Sequence, residues 1–346
     1  VFEGQLLQRA IGLVNRTASV NGTPFDPATP MPPPAGRMRN WVHYGVMVPE
    51  LPEPHRSFGV MSILGTPGVT VFANDQAITT DPADTVYTSS ATASMPDEQF
   101  LVHSRAYDCE FAPDGSHLRF GEELVIDGTY PHFTVRRIHP DVVVELEIEA
   151  TPNVAHFANI PGLYKHWSLL STYRGHVDHH GDRVAVEGLC TVEYAAGVGL
   201  HSLAPATRHN LPVKFFTYHV LNLSDRTQAL LVQVLGPCGF PLQKAVYLRS
   251  LDGSGGVYTR GFDFEVTEFE PEPRRTPTGR TMSLPRSLSW RVLDGDGREL
   301  ITIEGKGGGD YSYGLGAGYV GTYEYSGTYR GRDVAGRAYI EYIDCR

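Results

Sequence analysis

One pattern constrains the fold of this chain more than any other, because it is written twice. The stretches "VEGLCTVEY" at 186–194 and "VAGRAYIEY" at 334–342 share the pattern V-x-G-x-x-x-x-E-Y. A Y-x-G precedes each copy: Tyr173-Arg174-Gly175 before the first, Tyr325-Ser326-Gly327 before the second. Each Y-x-G opens a strand-like run, passes a turn and returns through the V-x-G. The shared order predicts a duplicated structural unit built on a β-hairpin.

The rest of the chain reads as all-β. Its 37 glycines and 25 prolines punctuate short runs of β-branched and aromatic residues. "DVVVELEIEA" at 141–150 alternates apolar and acidic positions, as a half-buried strand does. Three runs between 214 and 253 read as an antiparallel meander, and 287–305 reads as a hairpin turning at Asp294-Gly295-Asp296-Gly297. Only residues 4–14 have a helical pattern. The proline-rich segment 21–37 reads as an arm, and Pro205 and Pro212 mark a boundary. The expected organisation is an arm over 1–37, one β-barrel over 38–205 and a second over 206–346. Barrels are favoured because closure removes exposed strand edges.

Composition excludes several function classes. A 41% hydrophobic chain of 346 residues can bury a core. A formal charge of −10 argues against nucleic-acid partners and against adhesion to an anionic membrane. No apolar run is long enough for a spanning helix, so integral membrane association is not expected. The start, "VFEGQLLQRAIGLV", lacks the basic and long apolar regions of a signal peptide. Cys109, Cys190, Cys238 and Cys345 are scattered, without C-x-x-C spacing, and are read as reduced thiols of a cytoplasmic protein.

Few motifs point to chemistry. "GHVDHHGD" at 175–182 could place His176, Asp178 and His180 on one strand face, but a tight turn at His179–Asp182 is the better reading, so no metal is expected. The glycine-rich 305–318 precedes no helix that could cradle phosphate. There is no G-x-S-x-G elbow. His43 in "WVHY", His166 in "LYKHWS" and His219 in "FFTYHVL" each lie among aromatics. Each reads either as a satisfied core histidine or as part of a polar pocket.

The order of "NWVHYG" at 40–45, the hairpin at 171–197, "LPRSLSWRVLDGDGRELITIEG" and "YVGTYEYSG…GRAYIEY" resembles the carotenoid hydratase (hydroxyneurosporene synthase) and AttH-like family over roughly 40–342. The resemblance implies two tandem lipocalin-like antiparallel β-barrels, an architecture shared with kievitone hydratase-like enzymes and some fungal Diels–Alderases. The family's first motif strand reads like V-x-G-x-x-W-x-D-H-x-W-G. Here Glu193 takes the Asp position and Tyr194 the His position, while Thr191 and Ala196 replace the tryptophans and Gly197 matches. "NWVHY" resembles the family's D-W-W-Y entry.

What this implies is a cofactor-independent hydratase, dehydratase, isomerase or cyclase. It would act on a hydrophobic small molecule, such as an isoprenoid, steroid or polyketide, held in a barrel cavity. Glu193, His43 and His166 are the candidate catalytic residues. Trp41, Tyr44, Trp167, Cys190, Tyr194, Tyr218 and His219 are the candidate substrate contacts. Burial of Glu193 would raise its pKa and suit it to acid/base work. Strand parity leaves its direction open, and a structural role like that of its twin Glu341 is the alternative. A non-catalytic lipid or terpenoid carrier is the second reading. An exposed β-surface would also be compatible with a homodimer.

Overall fold

The computed structural model describes residues 15–78, 81–95, 99–199 and 210–346. The helix expected at 4–14 and the boundary expected at Pro205 lie outside the described residues. The chain is almost entirely β and divides into two compact units. Among the described residues, 15–68 with 77–210 form the first. Among the described residues, Val69–Gln76 and Leu211–Arg346 form the second.

The first unit carries one short helix, α1 (Thr17–Val20), and an eleven-stranded antiparallel sheet. Its strands are β1 (Trp41–Val48), β2 (Phe58–Leu64), β3 (Thr85–Thr92), β4 (Phe100–Ser104), β5 (Cys109–Phe111), β6 (His117–Phe120), β7 (Leu124–Thr129), β8 (His132–Ile138), β9 (Val142–Ile160), β10 (Tyr164–His179) and β11 (Asp182–Gly197). Their order, β4-β3-β2-β1-β11-β10-β9-β8-β7-β6-β5, brings the last strand back onto the first and nearly closes the sheet. The two free edges, β4 and β5, are consecutive in sequence.

The second unit repeats the scheme. It contains β12 (Phe215–Asn222), β13 (Thr227–Leu235), β14 (Pro241–Ser250), β15 (Gly255–Tyr258), β16 (Phe262–Phe269), β17 (Arg274–Arg275), β18 (Thr281–Met282), β19 (Pro285–Leu293), β20 (Glu299–Gly307), β21 (Ser312–Leu315), β22 (Gly318–Tyr329) and β23 (Arg332–Asp344). The order β15-β14-β13-β12-β23-β22-β20-β19-β16 again returns the last strand to the first and opens between consecutive edge strands. The meander and the 287–305 hairpin fall where the sequence predicts them, and Asp294 accepts backbone N–H bonds from Asp296 and Arg298 at that turn.

The duplicated motif now has a physical meaning. Tyr173 pairs with Gly188 across β10–β11, and Tyr325 pairs with Gly336 across β22–β23. Each tyrosine ring lies on the bare glycine opposite, 3.3 Å and 3.2 Å from where a Cβ would stand. Each hydroxyl then donates to a carbonyl just beyond or at the end of the unit's first strand, Glu50 at 3.2 Å and Asn222 at 2.7 Å. The motif is a Tyr-over-Gly clamp between a hairpin and the strand that closes the sheet.

The first unit's core lies on the sheet face that carries Val42, Tyr44, Val46, Trp167, Leu169, Cys190, Val192 and Tyr194. The proline-rich segment closes over one end of it. Pro32, Pro33 and Pro34 are buried, Tyr44 Oη donates to the Met31 carbonyl at 2.7 Å, and Tyr194 Oη donates to the Pro32 carbonyl at 2.8 Å. A void between Met31, Tyr44, Leu118 and Phe133 measures about 20 Å³, room for a single water rather than an isoprenoid. The four cysteines are free thiols. Among the described residues no helix is long and apolar enough to cross a membrane.

Candidate functional site

Glu193 points away from that core. The β1–β11 and β10–β11 registers run without a bulge through this region, so alternation is strict. Tyr194 faces the core, and Glu193 shares the opposite face with Thr191 and Ala195. Directly across from Glu193 stand Gly45 on β1 and Ser168 on β10. One rung along, His43 and His166 flank Ala195 from either side. Small residues at 45, 168 and 195 leave room for both imidazoles to lean over the carboxylate. Gly45 is the tightest of these, because a Cβ there would stand 2.9 Å from the His43 ring.

The result is a compact trio. His43 Nε2 lies 3.9 Å and His166 Nε2 3.8 Å from Glu193 Oε2, and one ligand atom from each residue falls within 4.8 Å of the other two. Glu193 is 2% and His43 5% exposed. His43 Nδ1 donates to the Ser62 carbonyl at 2.9 Å, which fixes the ring, since a carbonyl can only accept. His166 Nδ1 meets Tyr164 Oη at 3.0 Å, and Phe157 packs edge-on to the His166 ring. Both Nε2 atoms are buried without a hydrogen-bond partner.

Burial alone pushes the Glu193 carboxyl up, but the two imidazoles facing it outweigh burial and hold it well below the usual carboxylate range. The expected direction is therefore reversed, because two imidazoles share its pocket. Burial pushes His166 down, and Glu193 restores only part of that.

Other expected site residues are distributed differently. Trp41 lies on the Glu193 face and packs against Tyr164, 5.5 Å between ring centroids. Tyr44, Trp167, Cys190 and Tyr194 are on the core face, separated from the trio by the sheet. Tyr218 and His219 belong to the second unit. His219 sits in a cluster with Trp290, Tyr323 and Phe264. Both its ring nitrogens are bonded, Nδ1 to Trp290 and Tyr323 and Nε2 to Thr217. Glu341, the twin of Glu193, accepts a bond from the Tyr339 hydroxyl at 3.0 Å. The histidine-rich turn is a turn: His180 and Gly181 both have positive φ, and His176 pairs with Glu145. Sequence reasoning missed Tyr164, Phe157 and Gly45. The i, i+2 spacing of Tyr164 and His166 on one strand is a signal that could have found the first.

Comparison with solved structures places the fold. A protein assigned as an AttH from Nitrosomonas europaea aligns over 93% of this chain and 99% of its own, with a TM-score of 0.59 at 12% identity. Kievitone hydratase from Nectria haematococca covers 93% of this chain and 97% of its own, at 0.55 and 13%. CghA, in complex with Sch210972, covers 94% and 95%, at 0.52 and 10%. The fold is thus the one that the motif order resembles. No curated protein sequence matches the chain. Residues 61–346 match the profile of a family of unknown function, DUF6670, and the chain belongs to that family.

Proposed function

We propose that this protein is an enzyme of proton-transfer chemistry, adding or removing water or rearranging a double bond in an apolar small molecule, with Glu193, His43 and His166 as its reacting groups. The observation that carries this reading is the convergence of three titratable side chains from three adjacent strands on one buried point, with both ring nitrogens unsatisfied. Such groups cost stability. An ionised carboxylate serves as the base, and an imidazole exchanging a proton at Nε2 serves as the acid. Hydration needs both, one to deprotonate water and one to protonate carbon; dehydration uses them in reverse. Trp41, Tyr164 and Phe157 supply aromatic surface for an apolar substrate.

The likeness in fold to kievitone hydratase supports the class of chemistry, and the substrate class remains part of the proposal. The second reading, a non-catalytic lipid or terpenoid carrier, needs the same apolar ligand, and conversion rather than binding separates the two. The test is to incubate the protein with isoprenoid, steroid and polyketide alkenes and alcohols and follow gain or loss of water, or isomerisation, by mass spectrometry and chromatography. Glu193→Gln is expected to retain binding and lose about 10²–10⁴-fold in turnover. Compounds that bind but are never converted, or equal conversion by Glu193→Gln, would overturn the reading.

A further inference from the structure

We propose that His43, His166 and Glu193 form a binding site for a divalent transition-metal ion of the zinc class. It rests on the geometry of the trio alone; in an occupied site the three side chains would be ligands, and the proton transfer of the proposed function would fall to water on the ion.

The His43 tautomer comes first. Its Nδ1–H is committed to the Ser62 carbonyl, so the neutral ring presents a lone pair at Nε2. That lone pair faces the Glu193 carboxylate at 3.9 Å. An imidazolium would answer that carboxylate with its own charge; the neutral ring leaves two electron-rich atoms aimed at one buried point, where a cation would serve. A proton on Nε2 does not bridge the gap, because a charge-assisted N–H···O bond is about 2.8 Å long. The choice is between water and an ion.

The separations discriminate. A water bonded at about 2.8 Å to two groups at a tetrahedral angle holds them about 4.6 Å apart. A tetrahedral ion with ligands at about 2.1 Å holds them about 3.4 Å apart. The observed 3.8 Å and 3.9 Å lie nearer the ion's value. The two carboxylate–imidazole pairs need close by only about half an ångström, and the two imidazoles, whose ligand atoms lie within 4.8 Å of each other, close with them.

The donor set and its surroundings agree. Two imidazoles and one carboxylate are a known set for zinc and iron(II) sites that keep positions open for water or substrate. Metal-bound histidines engage their second nitrogen with a carbonyl or another polar group, and here Ser62 and Tyr164 play that part. Gly45 keeps the His43 ring in place. Among the described residues this is the one group of three such side chains whose ligand atoms converge. An ion there would polarise water or a substrate oxygen and so supply the hydroxide that hydration requires.

The test uses the whole chain. Protein purified without chelator is assayed for zinc, then stripped and titrated with Co²⁺ while its visible absorption is followed. One equivalent is expected, with the intense bands of low-coordinate cobalt. Those bands should vanish in Glu193→Gln and in His43→Gln. Gly45→Ala, which displaces a ligand without removing it, should weaken binding about tenfold or more. Far-ultraviolet circular dichroism confirms that each variant is folded. A His176→Gln/His180→Gln variant should bind as the wild type does. Absence of both retained zinc and cobalt bands in the wild type would overturn the proposal. So would bands that persist in folded Glu193→Gln and Gly45→Ala or disappear in the His176/His180 variant. Cobalt binding is read without a substrate, so its failure leaves the acid/base reading standing, and failed turnover leaves the metal site standing.

Discussion

Histidines in aromatic contexts look alike in this sequence, and their hydrogen bonds separate them. Trp290 Nε1–H can only donate, so His219 Nδ1 accepts and its Nε2 carries the proton. That proton goes to Thr217 Oγ1, whose own hydrogen goes to the Glu341 carbonyl at 2.8 Å. His219 is a satisfied, neutral core residue, whereas His43 and His166 each leave Nε2 without a hydrogen bond, facing Glu193. Burial pushes the His219 pKa down to about 3 from an ordinary 6.5. Below pH 6.5 the unfolded chain takes up a proton that the folded chain refuses until about pH 3. This group's contribution is therefore full above pH 6.5 and is lost as pH falls through that window, at roughly 1.4 kcal/mol per pH unit. Urea unfolding across the window should show a shallower slope in His219→Gln by about one proton; an unchanged slope would mean that His219 is not buried neutral.

At the scale of elements, the repeat was legible because its constraint is local to a strand pair. A tyrosine over a glycine leaves a fixed spacing that survives in both halves. The close approach at the Y-x-G glycine adds to it. A Cβ at Gly175 would stand 2.0 Å from the Glu145 carbonyl oxygen, and one at Gly327 would stand 1.8 Å from that of Thr302. Gly175→Ala and Gly327→Ala must therefore separate β10 from β9 and β22 from β20, and each is expected to cost about 2–3 kcal/mol or more in chemical denaturation. Tyr173→Phe and Tyr325→Phe, which lose only a hydroxyl bond, should cost about 1 kcal/mol each. Alanine variants as stable as wild type would refute the close approach. The direction of Glu193 was not legible, and the reason is physical. Every residue from Leu189 to Gly197 is buried, so β11 has no polar face to betray its parity. The register that brings His43 and His166 to Glu193 is set by partner strands, which a single strand's pattern does not encode.

At the scale of the whole molecule, each unit's sheet is closed by pairing the beginning of its sequence with the end. In the first, Trp41 pairs with Gly197, whereas β9, β10 and β11 follow one another through short turns. The two kinds of contact carry different entropic costs, because closing a long loop precedes any reward from the contacts it allows. The hairpins of β9–β11 should therefore form before β1 docks on β11. This order matters for function, because Glu193 and His166 arrive with the hairpin but His43 arrives only with β1. During refolding, pulsed hydrogen exchange should protect the amides of 171–175 earlier than those of 43–47. Val46→Ala, which trims the core face of β1 opposite Val192, should then speed unfolding while leaving early protection of β10 unchanged. Simultaneous protection of both segments would show instead that β1 belongs to the folding nucleus, and that the site is assembled in the same step as the strand pair carrying its carboxylate.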